Sequence, residues 1–592
     1  MRYETLIKVL DRIREEAPTQ QSTRYRPDSS DLEKVNQARA RAFLHLFLKV
    51  MFGITEFQQR ERTITDGTSD GGIDAYHIDN ESKTIYFLQA KFRINEKNFE
   101  SKEILLEEIL CMDVNRILDG DAADEQGIDY NGKIKQLQRE VSQLPDIARY
   151  SYRVVILANV RITSSSKLKQ LTGGYAAEVY DFEKTYKKLV FPVITGTYFA
   201  ASDIVIPVDL SSKNAGSKIS YNVRTKASDC EITVLFVPTI EIAKIMDKYR
   251  NAILKYNPRS YLELQGHQVN DAIRKTILSN DTNEFALFNN GITMLSEETN
   301  INEKIGQKNK AQLRIKNPQI INGGQTSFTL SLIYKAHKDR AEEVFGDKEV
   351  LLKIITLDST GKEDARLELI DQISAATNTQ TPVLNADRFA NEEFHIEVQQ
   401  IIFEQYGFLY ERKRGEFSVG ASDGYVDNEN IIERNLFWRI YYSANGQIDI
   451  GKQKKLFQKN KFSNVDLKNK EKFDRAMSAW WVLKAMRKNI SPYAPQDPTI
   501  YAKIFMFVEL FHEKGKPPLS RDRVKNLIGP FNGHWSAFVE RIKAKSPPKK
   551  KAYIGPGGEP MIKIGQITSF RYSEGLRKDL MAFIQDARSP AS

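Results

Sequence analysis

Residues 65–92 read TDGTSDGGIDAYHIDNESKTIYFLQAKF, with Asp70 and Asp74 before a polar turn and a Gln-x-Lys after it. The runs GGIDAYHID and KTIYFLQAKF flank Asn80-Glu81-Ser82, the pattern of two strands joined by a turn. Gln89 and Lys91 are two apart, so a strand projects both from one face. Asp74 lies on the preceding strand and faces them across the pair. An aspartate, an amide carbonyl and a lysine are costly to bury together unless something neutralises them. A divalent cation does so. Mg²⁺, with Mn²⁺ as its alternative, takes hard oxygen ligands, commonly one or two carboxylates completed by water and a substrate phosphate. In this reading Asp74, the Gln89 side-chain carbonyl and the Ala90 backbone carbonyl supply oxygens. Lys91 then lowers the pKa of an attacking water or steadies charge on the phosphorus oxygens.

A second group of residues lies in the middle of the chain: FALFNNGITML (285–295), KNPQIINGGQTSFTL (316–330), AATNTQTPVLNADRF (375–389) and YERKRGE (410–416). Asn/Gly/Gln/Thr turns follow apolar, strand-like runs, and glycine lets a backbone approach a ligand closely at strand ends. Asn290, Asn322, Gly323, Gly324, Gln325, Thr326, Asn378 and Gln380 form the expected ligand-binding set, with Arg412 as the cation for a phosphate. The plainer reading is a set of tight turns whose Asn and Gly only satisfy positive φ. No Walker A loop is present, since Gly361-Lys362 lacks both the leading glycine and the following Ser/Thr.

The elements that must position these residues follow from hydrophobic period. Residues 1–60 read as helical, and LEKVNQARARAFLHLFLKVMFG has an apolar face ending at Gly53. His45 on this helix reads as a core residue, and alternation from Asp74 turns His77 to the opposite face of the hairpin. A helical region is expected from near Ser101, with YNGKIKQLQREVSQL amphipathic, and RVVILANV reads as a buried strand. LVFPVITGTYFA, SDIVIPVDL and CEITVLFVPT are strand-like, SSKNAGSK is a loop, and TIEIAKIMDKY opens a helix. After Asp427 the chain is mainly helix-compatible. There RAMSAWWVLKAMRKN carries an aromatic stripe expected in the core, and SPPKKKAYIGPGGEP reads as a loop.

Composition bounds the rest. The 592 residues are 41% hydrophobic and 28% charged, as in a soluble protein of several domains. The two cysteines, Cys111 and Cys230, form no metal-ligand spacing, so a reducing cytoplasm fits and a disulfide framework does not. No apolar run is long enough to span a membrane. The net charge of +10 is concentrated in residues 451–480 and 541–592, with excesses of +6 and +7, which leaves the remainder slightly acidic. Basic faces of this kind serve phosphate backbones or simply stay solvated.

The pattern Asp74…Gln89-x-Lys91 on adjacent strands resembles the PD-(D/E)xK nuclease superfamily, and GGIDA…QAK is most similar to its Mrr-like restriction branch. The resemblance implies metal-dependent phosphodiester hydrolysis, with Asp74, Gln89 and Lys91 at motif positions and Asp70 at an acidic position of that branch. A glutamine stands at the E/Q position, and an upstream-helix acid is usual, for which Glu33 and Glu56 are the candidates. NNGIT, INGGQT, NTQTPV and YERKRG resemble the abortive infection phage resistance (AIPR) family, which implies an anti-phage defence protein. The GGQT turn is also loosely similar to the GQHR-type turn of ParB-like nucleotide-binding proteins.

The expectation is therefore an α/β protein with a nuclease domain at 1–170 and a β-rich connecting segment at 171–239. An AIPR domain at 240–425 and a basic, mainly helical domain at 426–592 complete it. It would act as a cytoplasmic Mg²⁺-dependent endonuclease on DNA, with RNA left open. A nucleotide or phage-derived trigger, or homo-oligomerisation, would restrain it. The alternatives are a nuclease fold that binds nucleic acid without cutting, and a nucleotide-dependent switch centred on the AIPR region.

Overall fold

The computed structural model describes residues 2–588 apart from 107–108, 110, 161–163, 211–217, 226–228, 258–266, 280–281, 307, 358–362, 378–391, 449–455, 457–461, 463, 487–498, 546–549, 555–559 and 565–573. Two compact units emerge: Met1–Pro382 with Lys413–Asn430, and Val383–Arg412 with Ile431–Ser592.

The first unit opens on helix α1 (Arg2–Glu15) and the long helix α2 (Leu32–Phe52). Asp31 caps α2 by accepting from the Lys34 amide at 3.1 Å, and Gly53 ends it in the left-handed region at φ 65°. A side chain at Gly53 would strike the Phe199 ring, which reinforces the stop. Short helix α3 (Phe57–Arg62) leads into the hairpin β1 (Ala75–Asp79) and β2 (Thr84–Ala90). Strands β3 (Ser151–Leu157) and β4 (Ala177–Tyr180) complete a sheet in the order β1-β2-β3-β4. β1 and β2 are antiparallel, while β3 runs parallel to both β2 and β4. Helix α4 (Gly132–Ser142) packs on this sheet through Ile134, Leu137 and Val141, in one core with Ile73, Tyr76, Phe87 and Ile156.

Beyond it, β5 (Asp203–Asp209), β6 (Ile219–Arg224), β7 (Asp229–Pro238) and helix α5 (Thr239–Tyr249) follow. β8 (Ile292–Ser296), β9 (Glu298–Asn302), β10 (Lys310–Lys316), β11 (Gln319–Asn322), helix α6 (Gly324–Ala336) and β12 (Glu349–Leu357) come next. They form a five-stranded sheet, β11-β8-β12-β7-β6, and a three-stranded one, β5-β10-β9. Alternating residues of β5 and β10, among them Ile204, Ile206, Leu313 and Ile315, enter a core shared with α5 and α6.

The second unit is mainly helical, with α7 (Glu393–Tyr406), α8 (Arg434–Ala444), α9 (Lys470–Met486) and α10 (Ile500–Phe511). Strands β13 (Leu409–Glu411) and β14 (Ile431–Glu433) pair in parallel. Its centre is aromatic: buried Trp438 donates to the Tyr410 hydroxyl at 2.9 Å, and of the α9 stripe Ala476, Met477 and Trp480 are buried while Trp481 is half-buried. The molecule is mixed α/β, as expected.

Several elements differ from the expectation. LVFPVITG is helical through Thr195, so between β4 and β5 the chain turns helical rather than staying β-rich. A short apolar run does not distinguish a buried strand from a buried helix, and Asp181, whose carboxylate accepts from the Lys184 amide, starts helix here. Among the described residues after Ser101, the next α-helix starts only at Val114. SPPKKKAYIGPGGEP includes a strand, Lys550–Ile554, which pairs antiparallel with Pro560–Ile564. The SSKNAGSK loop falls almost wholly outside the described residues. Among the described residues no helix is long and apolar enough to cross a membrane.

Candidate metal site

Loop 65–74 is built to bring carboxylates together. The amides of Thr65 and Asp66 both donate to the Asp74 carbonyl, at 2.9 and 3.0 Å, and fold the loop back on itself. The Asn131 side chain donates to Thr65 O at 3.0 Å while its oxygen caps α4, which ties the loop to that helix. Gly71 and Gly72 have φ of 62° and 73°, and a Cβ at Gly72 would lie 2.5 Å from the Cys111 carbonyl. Only glycine meets both demands.

Asp66, Asp70 and Asp74 converge here, with one oxygen of each within 4.8 Å of the others. Asp70 accepts from the amides of Gly67 (3.1 Å) and Gly72 (2.9 Å). Asp74 Oδ2 accepts from the Ala90 amide at 2.6 Å. Burial pushes the Asp74 carboxyl up to about 7, and the charges of Asp66 and Asp70 add to this against the Ala90 amide and Lys91. Burial raises Asp70 as well, with the two loop amides opposing it. Three acids of which two resist ionisation, on a hard-oxygen donor set, fit a divalent cation.

Of the residues singled out from sequence, Asp70, Asp74 and Lys91 meet at this cluster, Lys91 through its charge on both acids. Gln89 is fully buried, and its amide nitrogen donates to Gly72 O at 2.7 Å, so it fixes the glycine turn from β2. Ala90 contributes its amide hydrogen to Asp74. Asp66 is a member that the sequence reading misses, although the spacing 66, 70, 74 is its signal. Neither upstream glutamate joins the cluster: Glu56 pairs with Lys338 at 2.5 Å and Glu33 is exposed in the first turn of α2. Helix α2 instead presents Arg41, whose Nε lies 2.8 Å from Asp66 Oδ2. His77 stacks on Phe52 with ring centroids 4.0 Å apart, away from the acids. His45 is buried beside Tyr25 and Glu61, and burial lowers its pKa to about 4.

The central turns interlock with one another. NNG leads into β8 rather than ending a strand, because FALF is a helical turn. Antiparallel β8 and β11 bring Gly291 and Gly323 to the same end, where a Cβ at Gly323 would lie 3.0 Å from the Gly291 carbonyl. Asn289 donates to Thr326 Oγ1 at 3.2 Å, Asn322 to Thr377 O at 2.7 Å, and Gln325 to Asn270 Oδ1 at 3.1 Å. Gly324 opens α6, and Asn290 is exposed. Arg412 belongs to the second unit, where its Nε donates to Gln399 at 2.8 Å. Asn378 and Gln380 lie outside the described residues.

Fold and site together define a multidomain α/β protein with an acidic cluster in the loop that leads into its N-terminal hairpin. Residues 254–529 match the family model described as AIPR protein, a span that includes INGGQT and YERKRG. No curated protein and no solved structure matches the chain.

Proposed function

We propose that this chain is an anti-phage defence protein whose N-terminal region is a Mg²⁺-dependent DNA endonuclease. The observation that carries the reading is the convergence of Asp66, Asp70 and Asp74 within 4.8 Å, beside Lys91. These carboxylates would hold the cation, with Asp74 and Asp70 as the inner pair. A bound cation supplies a water of lowered pKa and a counter-charge for phosphate oxygens. Lys91 orients the scissile phosphate and offsets the negative charge that grows on it in the transition state. Gln89 keeps the Gly72 carbonyl in place, and with it the loop that aims Asp70 and Asp74. The defence role rests on the family match at 254–529.

The test is digestion of duplex DNA by purified protein across Mg²⁺ and Mn²⁺, with Asp74→Ala and Lys91→Ala alongside. Wild type is expected to cut, and each variant to lose at least a hundredfold in rate while staying folded. Equal cutting by Asp74→Ala would remove the site. DNA binding without cutting by wild type would leave a nucleic-acid-binding module.

A further inference from the structure

Arg41 stands beside this cluster in an unusual way. Its Nε is 2.8 Å from Asp66 Oδ2, an ion pair by distance, yet that buried Nε has no hydrogen-bond acceptor among the described residues. The N–H is not aimed at the oxygen it lies beside. Arg39, two residues earlier on the same helix, shows the contrast: its Nε and Nη2 each donate to Asp11 at 2.8 Å, a committed fork. Meanwhile the Asp66 backbone is anchored, because Arg24 Nη2 donates to its carbonyl at 2.9 Å. The side chain of Asp66 can therefore change partners without the loop moving. A cation taking Asp66 would leave the charge on Arg41 uncompensated, and its side chain is 18% exposed at the edge of the site.

Resting on the nuclease reading, we propose that Arg41 is a phosphate-binding residue that Asp66 holds in reserve until metal occupies the carboxylates. Two consequences have opposite signs. Arg41 competes with the cation for Asp66, so it weakens metal binding in the absence of substrate. It also adds a guanidinium for the DNA backbone once released. A residue that only supported the fold would weaken metal binding when removed.

The experiment measures Mn²⁺ affinity by calorimetry and binding of a fluorescent duplex oligonucleotide in EDTA. Arg41→Gln is expected to bind Mn²⁺ at least threefold more tightly than wild type, with the KM for duplex DNA raised at least tenfold. Arg41→Lys should keep the KM within about threefold. Asp66→Asn should bind DNA in EDTA at least threefold more tightly than wild type, and adding Arg41→Gln to it should cancel that gain. Unchanged or weaker Mn²⁺ binding by Arg41→Gln, or a gain in Asp66→Asn that survives the second substitution, overturns the proposal. Asp74→Ala separates the two readings. If it loses Mn²⁺ binding and cleavage while the Arg41 variants follow wild type, only the role of Arg41 fails. If it behaves as wild type, the nuclease reading fails with it.

Discussion

In the proposed reading Asp74 is the residue on which the chemistry turns, and its protonation is measurable. Burial pushes its carboxyl up to about 7, against an ordinary aspartate value of 3.8. Between those values the folded chain holds a proton that the unfolded chain has released. The contribution of Asp74 is therefore fully present below about pH 4 and lost as pH rises through about 7. Asp74→Asn removes this slope. Its stability relative to wild type in urea should rise by about 4 kcal/mol between about pH 4 and pH 8, because each pH unit between the two values contributes about 1.4 kcal/mol. Metal must displace the same proton, so Mn²⁺ affinity should fall about tenfold per pH unit below about 7. Calorimetry at about pH 6 and pH 8 reads this directly. A flat profile would mean that the cation does not use Asp74.

At the scale of elements, helices α1 to α3 are held by a buried ionic knot. Glu16, just past α1, accepts from Lys49 of α2 at 2.7 Å and from Arg60 of α3. Lys49 also donates to the Tyr425 hydroxyl at 2.8 Å, in the segment Lys413–Asn430. Burial works against the Glu16 charge, but Lys49 and Arg60 outweigh it and hold the carboxyl below the usual carboxylate range. This stabilisation is present above about pH 4.5, a glutamate's ordinary value, and is lost as pH falls through the lowered pKa. Glu16→Gln strands two buried cations, so it should destabilise the fold by roughly 2–4 kcal/mol at neutral pH in urea denaturation. The effect should shrink in acid. The knot also marks what a sequence discloses. Helix α2 with its stop at Gly53, the hairpin with its polar turn, and the convergence of Asp70, Asp74 and Lys91 all rest on local period and turn chemistry. Arg41 and Tyr425 meet their partners only through tertiary folding, and no spacing announces that. LVFPVITG reads as strand yet folds as helix because its apolar run is too short to carry a period. Asp66 is plain in the sequence, but its place in the loop depends on the Asp74 carbonyl bonds.

Across the whole molecule, the acidic cluster at residues 66–74 and Lys91 lie outside the matched span 254–529. The matched span itself draws on both compact units. This separation makes the proposed contribution of the N-terminal region to defence testable on its own. If the matched span protects cells by itself, inactivating the N-terminal site leaves protection intact. If the N-terminal site is the effector, protection depends on its chemistry. Lys91 is the better probe than the aspartates, because removing it leaves the carboxylate cluster and its loop hydrogen bonds in place. Cells producing Lys91→Ala at wild-type abundance should plaque phage as efficiently as cells lacking the protein. Cells producing wild type should show plaquing reduced by at least about tenfold. Full protection by Lys91→Ala would move the effector out of the N-terminal region and into the matched span.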